Sequence, residues 1–427
     1  MKKRILVKAP ALSRSGYGEQ TRFALRALRT IEDKLDIYLM NIPWGHTGFI
    51  TTDDEERHWL DSLLHKTIIH VQQGGTFDLS LQVTIPNEWE RIAPINIGYT
   101  AGIETTKVAP QWVEKGNEIE KIIVVSNHAK NTYQTTSYQA TNEQTGEVVT
   151  DYKCNTPIEV VNYCVRGVAE PTGLEMELDY DFNFLTVAQW GPRKNLINTI
   201  KWFVEEFIDQ EVGLIVKMNM ANDSLLDRIN SEKHLQALLG PYDGQRKCKV
   251  YLLHGTLEEG ELSTLYNHEK IKAIFSLTHG EGFGLPLFEA ACNGMPIICP
   301  LWSGQADFLY APVKDKKTKK TKMKAHCAKV DYSLAPVEPE AVWEGVIQSD
   351  ALWCYPDQGN AKMRLREVYK NYDRFKSQAK KLQKHVLRSF TAEKQYAQFA
   401  DAVLELVEPS EEELEWEQIT SKVVNYD

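Results

Sequence analysis

The chain has 427 residues, enough for two domains with separate cores, and its 42% hydrophobic and 25% charged content is that of a soluble globular protein. A net charge of −10 argues against a surface that binds nucleic acid everywhere, and no apolar run has the length of a membrane span. The seven cysteines are scattered, odd in number and without a C-x-x-C pair, which argues against a disulfide framework or a zinc site and points to a reducing cytoplasm.

The first residues are basic but lack an apolar core of signal-peptide length, and Ile5-Leu6-Val7 reads as a first buried strand. Strand patterns follow at Ile37–Asn41, Asp78–Ile85, Ile95–Tyr99, Ile122–Ser126 and Ile158–Tyr163. Helical patterns lie between them, among them Glu19–Arg29 and Glu55–Lys66. Val168–Leu174 reads as a linker, after which the alternation restarts. Strands Phe184–Ala188, Leu214–Lys217, Val250–His254, Ala273–Leu277 and Pro296–Cys299 are separated by helices Leu196–Phe207, Ser224–Leu239, Glu261–His268 and Leu285–Cys292. The expectation is an α/β protein of two Rossmann-like doubly wound domains facing a cleft. The segment from Ala392 onward is helical and acidic, with a capping-box pattern at Ser410–Glu413.

The most informative stretch is His279-Gly-Glu-Gly-Phe-Gly-Leu-Pro-Leu-Phe-Glu289, between a strand and a helix. A glycine turn that opens a helix presents bare N–H groups and the positive end of the dipole, which suits phosphate. Glu281 and Glu289 would repel a bare phosphate, but ionised carboxylates accept hydrogen bonds from sugar hydroxyls. Phosphate with hydroxyls on both sides describes a nucleotide sugar. A glycosidase carboxylate pair stays open on spacing alone. A second strand-to-helix junction, Ala188-Gln-Trp-Gly-Pro-Arg-Lys-Asn195, places Arg193 and Lys194 where cations are poorly sited unless an anion lies between them and the helix.

Ser13-Arg-Ser-Gly-Tyr-Gly18 resembles half a dinucleotide fingerprint, with Gly16 and Gly18 as candidate ligand contacts. Gly98–Thr106 ends another strand, and Tyr99, Glu104 and Thr105 are candidates to face the cleft. Asp179-Tyr-Asp181 matches a metal-and-diphosphate pattern but sits in the linker, so no required metal is expected. Val313–Lys324 holds seven lysines against one aspartate, leaving about −16 on the rest of the chain. The bland reading is a solvated, flexible insertion; the alternative is contact with a nucleic-acid backbone.

Glu281–Glu289, the following Ala290–Ile297, Tyr251–Gly255 and Glu261–Tyr266 together resemble the E-x7-E region of family-4 retaining glycosyltransferases, which have the GT-B fold. The resemblance is specific in the second domain and looser in the first. It implies that Glu281 holds the donor sugar, Glu289 the ribose, and the backbone of Gly282, Phe283, Gly284 and Leu285 the diphosphate. Arg193 and Lys194 would neutralise the leaving group. The family often has arginine where this chain has Gln189, and no general base is assigned. It implies residues 1–167 as an acceptor-side domain, with the C-terminal helix of about 392–427 packing back on it, and 175–391 as the nucleotide-sugar domain. The co-substrate would be a nucleotide-diphosphate sugar, UDP-sugar first among them, with no further cofactor. The opening Ser-Gly-Tyr-Gly-Glu and Trp353–Asp357 are similar to bacteriophage glycosyltransferases, some of which modify hydroxymethylated bases in DNA. Acceptor-side candidates are therefore Tyr99, Glu104, Lys316, Lys317, Lys319 and Lys320, with DNA along Lys314–Lys324 as a partner, no integral membrane contact, and the cytoplasm of a host as the location. A saccharide acceptor and a non-catalytic nucleotide-sugar binder are the alternatives.

Overall fold

The computed structural model describes residues 2–141, 146–166, 170–315 and 317–407. The first unit runs β1 (Lys3–Ala9), α1 (Gly16–Arg29), β2 (Leu35–Asn41), α2 (Glu55–Gln72), β3 (Leu79–Val83), β4 (Ile95–Thr100), α3 (Pro110–Asn117), β5 (Lys121–Val124) and α4 (Asn127–Thr135). A small hairpin of β6 (Tyr138–Thr141) and β7 (Val148–Tyr152) precedes β8 (Ile158–Val160). Six of these strands form one parallel sheet in the order β2-β1-β3-β4-β5-β8. Ile5, Val7, Leu79, Leu81 and Ile97 are fully buried, as strands covered by helices on both faces require.

The second unit runs β9 (Asn183–Gln189), α5 (Leu196–Phe207), β10 (Gly213–Asn219), α6 (Leu225–Leu239), β11 (Lys249–Leu253), α7 (Glu259–Asn267), β12 (Ile271–Phe275), α8 (Leu285–Cys292), β13 (Ile297–Pro300) and α9 (Ala306–Leu309). The antiparallel pair β14 (Tyr310–Lys314) and β15 (Thr321–Ala325) follows, then β16 (Ala328–Val330) and a second pair, β17 (Tyr332–Pro336) and β18 (Leu352–Pro356). Helices α10 (Gln358–Lys370), α11 (Tyr372–Ser389) and α12 (Ala392–Leu404) complete it. The parallel sheet has the order β11-β10-β9-β12-β13-β16. Strand order reverses between β9 and β12, and between β1 and β3 in the first sheet. Loops diverge there at the strand C-terminal ends and leave a crevice.

Both sheets agree with the expected α/β architecture; the differences lie at element ends and in the later segments. Helix α1 begins at Gly16, earlier than Glu19, because the Ser15 hydroxyl accepts the Gly18 N–H at 3.0 Å and caps the first turn. The described part of the lysine run belongs to the β14–β15 hairpin, and its lysines are solvent-exposed. Helix α12 lies on α1, with Phe399 and Tyr396 at 5.9 and 5.4 Å from Phe23 between ring centroids, and Lys121 Nζ donates to the Ala402 carbonyl at 3.0 Å. The capping-box pattern at Ser410, Lys316 and the start of the linker at Val168 lie outside the described residues.

Gly18 and Gly16 differ in what surrounds them. A Cβ on Gly18 would stand 1.9 Å from the Ser13 carbonyl oxygen, whereas one on Gly16 meets nothing within 4 Å. Gly18→Ala is expected to cost about 3 kcal/mol because backbone would have to move, and Gly16→Ala to stay within about 1 kcal/mol of the parent. Urea unfolding of both variants checks this.

Candidate active site

A cavity of about 730 Å³ lies between the two sheets, walled on one side by Arg14–Tyr17, Trp44, Ala101 and Glu104. On the other side are Val187–Gln189, Arg193, Lys194, Lys217–Asn219, Gly255–Glu259 and Glu281–Pro286. It therefore sits at the strand ends beside both switch points, where open α/β sheets bind ligands.

Two loops of the second sheet, one after β9 and one after β12, are bonded together. His279 N–H donates to the Arg193 carbonyl at 2.8 Å, and Asn195 Nδ2 donates to the Leu277 carbonyl at 3.0 Å. Asn195 adopts a left-handed conformation (φ 50°), which turns the short 3-10 turn Pro192–Lys194 into α5. Arg193 and Lys194 are thereby aimed at the glutamate of the second loop. Lys194 Nζ donates to both Glu281 carboxylate oxygens, at 2.7 and 2.8 Å. Arg193 Nη1 donates to the Gly280 carbonyl at 2.7 Å and lies 3.3 Å from Glu281 Oε2. From the first domain, Glu104 Oε1 also lies 3.3 Å from Arg193 Nη1.

Burial works against every charge in this group. For Glu281 the burial penalty is outweighed by Lys194 and Arg193, and its pKa falls below the ordinary value. Burial likewise opposes the Arg193 charge, yet Glu104 and Glu281 together hold its pKa above normal. For Lys194 burial prevails over Glu281, and its pKa drops. Two cations against two carboxylates leave this cluster neutral, so an anion bound here would draw on the donors that remain. Lys194 keeps one of its three protons, and Arg193 has its other N–H groups.

The glycine turn supplies further donors. The N–H groups of Gly282, Phe283 and Gly284 make no hydrogen bond to described residues. Gly284 has φ 92° and caps α8, so the next N–H groups also point outward. A Cβ on Gly282 would stand 2.8 Å from the Ala101 carbonyl, so the turn packs against the first domain. The Phe283 ring is in an aromatic cluster with Phe288, Phe308 and Tyr163, at 5.1 to 5.3 Å between centroids, leaving its backbone to the cavity. Glu289 lies a helical turn on, where its carboxylate accepts the Tyr266 hydroxyl at 2.9 Å. Burial raises the Glu289 pKa, with Arg166 and Tyr266 opposing. The two glutamates thus have separate partners.

The first domain corrects three candidates. Tyr99 is 0% exposed and packs 5.1 Å from Phe399, so it belongs to the core and not to the cleft. Its strand is central and covered on both faces, which a short sequence window does not reveal. Gly18 is buried against Ser13, while Gly16 is on the cavity wall. Thr105 is also buried, its hydroxyl donating to the Lys107 carbonyl at 2.9 Å. Lys317, Lys319 and Lys320 are exposed on the hairpin turn and do not line the cavity. Asp179 pairs with Lys249 at 2.7 Å and Asp181 approaches Lys270 at 3.7 Å, both away from the cavity. Among the described residues no group of three or more His, Cys, Asp or Glu side chains is arranged to hold a metal ion.

Some residues that shape the site escaped the sequence reading. Behind the wall, Asp227 accepts N–H bonds from Met220, Ala221 and Asn222 at 2.7 to 3.0 Å and faces His254 Nε2 at 2.8 Å. Burial opposes its charge, but these donors pull the Asp227 pKa down to about 2 and fix the loop after β10. The Ser224-x-x-Asp227 spacing is a capping signature that would have flagged it. Tyr17 and Trp44 meet at 4.4 Å between centroids, tilted by 36°, on the first-domain wall, a pairing made by tertiary contact alone.

Solved structures share this architecture at low identity. Sucrose-phosphate synthase from Thermosynechococcus elongatus is 12% identical with a TM-score of 0.60, over 95% of this chain and 99% of that one. HepE from Anabaena, solved with UDP and glucose, is 11% identical with a TM-score of 0.58, over 94% and 100%. A glycosyltransferase from Rickettsia africae is 13% identical with a TM-score of 0.58, over 96% and 100%. The chain has the GT-B fold. No family model and no curated protein matches the sequence.

Glu104 is the first-domain charge that competes for Arg193. Glu104→Gln should leave Arg193 freer and raise the affinity for inorganic pyrophosphate several-fold, about 1 kcal/mol. Titration calorimetry on both proteins tests it.

Proposed function

We propose that the protein is a retaining glycosyltransferase that moves a sugar from a UDP-sugar to an acceptor hydroxyl. The observation that carries this reading is the meeting of Arg193, Lys194, Glu281 and the free N–H groups of Gly282 to Gly284 in one interdomain cavity. GT-B neighbours solved with UDP or UDP-glucose support the choice of donor. In this reading the diphosphate lies at the start of α8 under Arg193 and Lys194, Glu289 accepts from the ribose hydroxyls and Glu281 from the sugar. The anomeric C–O bond to phosphate breaks as the acceptor oxygen bonds to that carbon on the same face. The acceptor proton passes to the departing phosphate oxygen, and UDP leaves. The protein's share is electrostatic and positional, since charge grows on the diphosphate as the bond breaks.

The acceptor we favour is a hydroxymethylated base in DNA. The two sides of the cavity are bridged by Asp307 with Asn127 and Asn162 at 2.9 to 3.1 Å, and by Asn222 with the His46 carbonyl at 3.1 Å. A base that reacts in an interdomain cavity has to leave the duplex stack to reach it. The exposed lysine hairpin supports the same acceptor.

Incubation with a panel of nucleotide sugars, with and without hydroxymethylated DNA, tests both levels. Release of UDP together with a hexose-sized mass gain on digested nucleosides is expected. Release that depends on a saccharide would replace the DNA reading, and binding without release in any mixture would make the protein a binder. Lys194→Ala should lower kcat by about 10²–10³. Glu289 must be ionised to accept from ribose, and its pKa is raised. Hence kcat/KM for the donor should fall with decreasing pH already above the ordinary glutamate value of 4.5. Glu289→Gln should remove that acid limb and raise KM for the donor.

A further inference from the structure

The chain is acidic overall, and many of its cations are paired: Arg26 with Glu56, Lys362 with Glu205, Arg366 with Glu206 and Arg374 with Glu367. One region gathers cations without such partners. On the β14–β15 hairpin, Lys314, Lys317, Lys319, Lys320, Lys322 and Lys324 are exposed, and none forms an ion pair or donates a side-chain hydrogen bond to a described residue. Asp315, the acidic residue among them, turns its carboxylate to the N–H groups of Lys317 and Thr318 at 2.8 Å.

The hairpin packs against helix α11, where Gln378 Nε2 donates to the Ala325 carbonyl at 3.1 Å. Gln378 marks the flank of α11 that meets the hairpin, and His385 lies two turns on along the same flank. Lys381, between them, and Arg388 follow the same stripe, with Lys384 beside it. All three are exposed and unpaired. The opposite face, Phe375, Ala379, Leu382 and Val386, is buried in the core, so α11 has no apolar face left for a bilayer. At 18 residues α11 is about 27 Å long, enough to follow several phosphates. The strip starts beside the cleft. Asp307, three residues before β14, bridges to Asn127 and Asn162, and Ser303 accepts the Glu281 N–H at 2.9 Å.

We propose that the hairpin and the exposed face of α11 form one docking surface for the phosphate backbone of double-stranded nucleic acid. Unpaired like charges held side by side on a hairpin and a helix repel one another, and a polyanion relieves that repulsion while releasing its own counterions. The proposal gives a partner surface to the DNA-acceptor reading and rests on it for its purpose, while its binding test needs no sugar transfer.

The test uses the full chain and a fluorescent duplex without base modification, read by anisotropy over a salt series. Two charge reversals are compared with the parent: Lys381→Glu with Lys384→Glu and Arg388→Glu, and Lys317→Glu with Lys320→Glu. Calorimetry with UDP checks that each still binds nucleotide. The expected result is duplex binding that weakens about tenfold or more in each variant, with the slope of log K against log salt falling by about 3 in the first. Unchanged duplex affinity in both variants overturns the proposal. So does binding to phosphatidylserine vesicles with none to duplex. Duplex binding lost in the variants, without transfer to hydroxymethylated DNA, keeps the surface and removes the acceptor reading. Transfer unaffected by the reversals does the opposite.

Discussion

The buried ion pair between Lys194 and Glu281, with Arg193 beside it, is the interaction on which the cleft depends. Charges are expensive to bury, and each partner here would be costly alone. The pair therefore ties the loop after β9 to the loop after β12, the two strands at which the second sheet changes direction. With the loops tied, the free N–H groups of the glycine turn and the start of α8 face the same space as the two cations. Glu281 thus has a positional role before it has any role toward a ligand.

Closure of the cleft combines apolar packing, such as Tyr163 on Phe283 at 5.3 Å between centroids, with polar contacts. Glu104 reaches Arg193, Arg14 lies 3.5 Å from Glu258, and Asp307 gathers Asn127 and Asn162. The Glu104 contact has a further consequence. It draws on the guanidinium that an anion in the cavity would also use, so ligand binding and domain contact are coupled through one side chain.

The distribution of charge divides the molecule. Around the cavity, cations and carboxylates are matched nearly one to one, so a bound anion is held by directed donors and helix N–H groups more than by net charge. Glu19 illustrates the matching: Arg166, Arg22 and Arg26 surround it, and despite burial they pull its pKa down to about 2. Along the hairpin and α11 the opposite holds, with exposed cations left unmatched. Such a surface has little geometric selectivity and a strong dependence on salt, which suits a repetitive polyanion.

The alternation of apolar runs and amphipathic segments was enough to read two doubly wound units, because periodicity and burial on both sheet faces are local properties of the sequence. The glycine turn at Gly282–Gly284 was legible for the same reason: only glycine takes the left-handed backbone that Gly284 adopts without strain. Arg193 and Lys194 were legible as cations at a strand-to-helix junction. Tyr99 was misplaced because whether a strand end faces a cleft or a core depends on the helix laid over it, here α12 from the far end of the chain. Gly18 was misplaced because its neighbour is a backbone carbonyl, not a ligand. Asp227 with His254, Tyr17 with Trp44, Glu104 on Arg193, and the meeting of α11 with the lysine hairpin join segments distant in sequence or set on different elements. The sequence by itself determined which backbone stretches could receive a phosphate. The tertiary structure alone decided which charges are paired and which are left free, because pairing depends on distances that packing, not periodicity, sets.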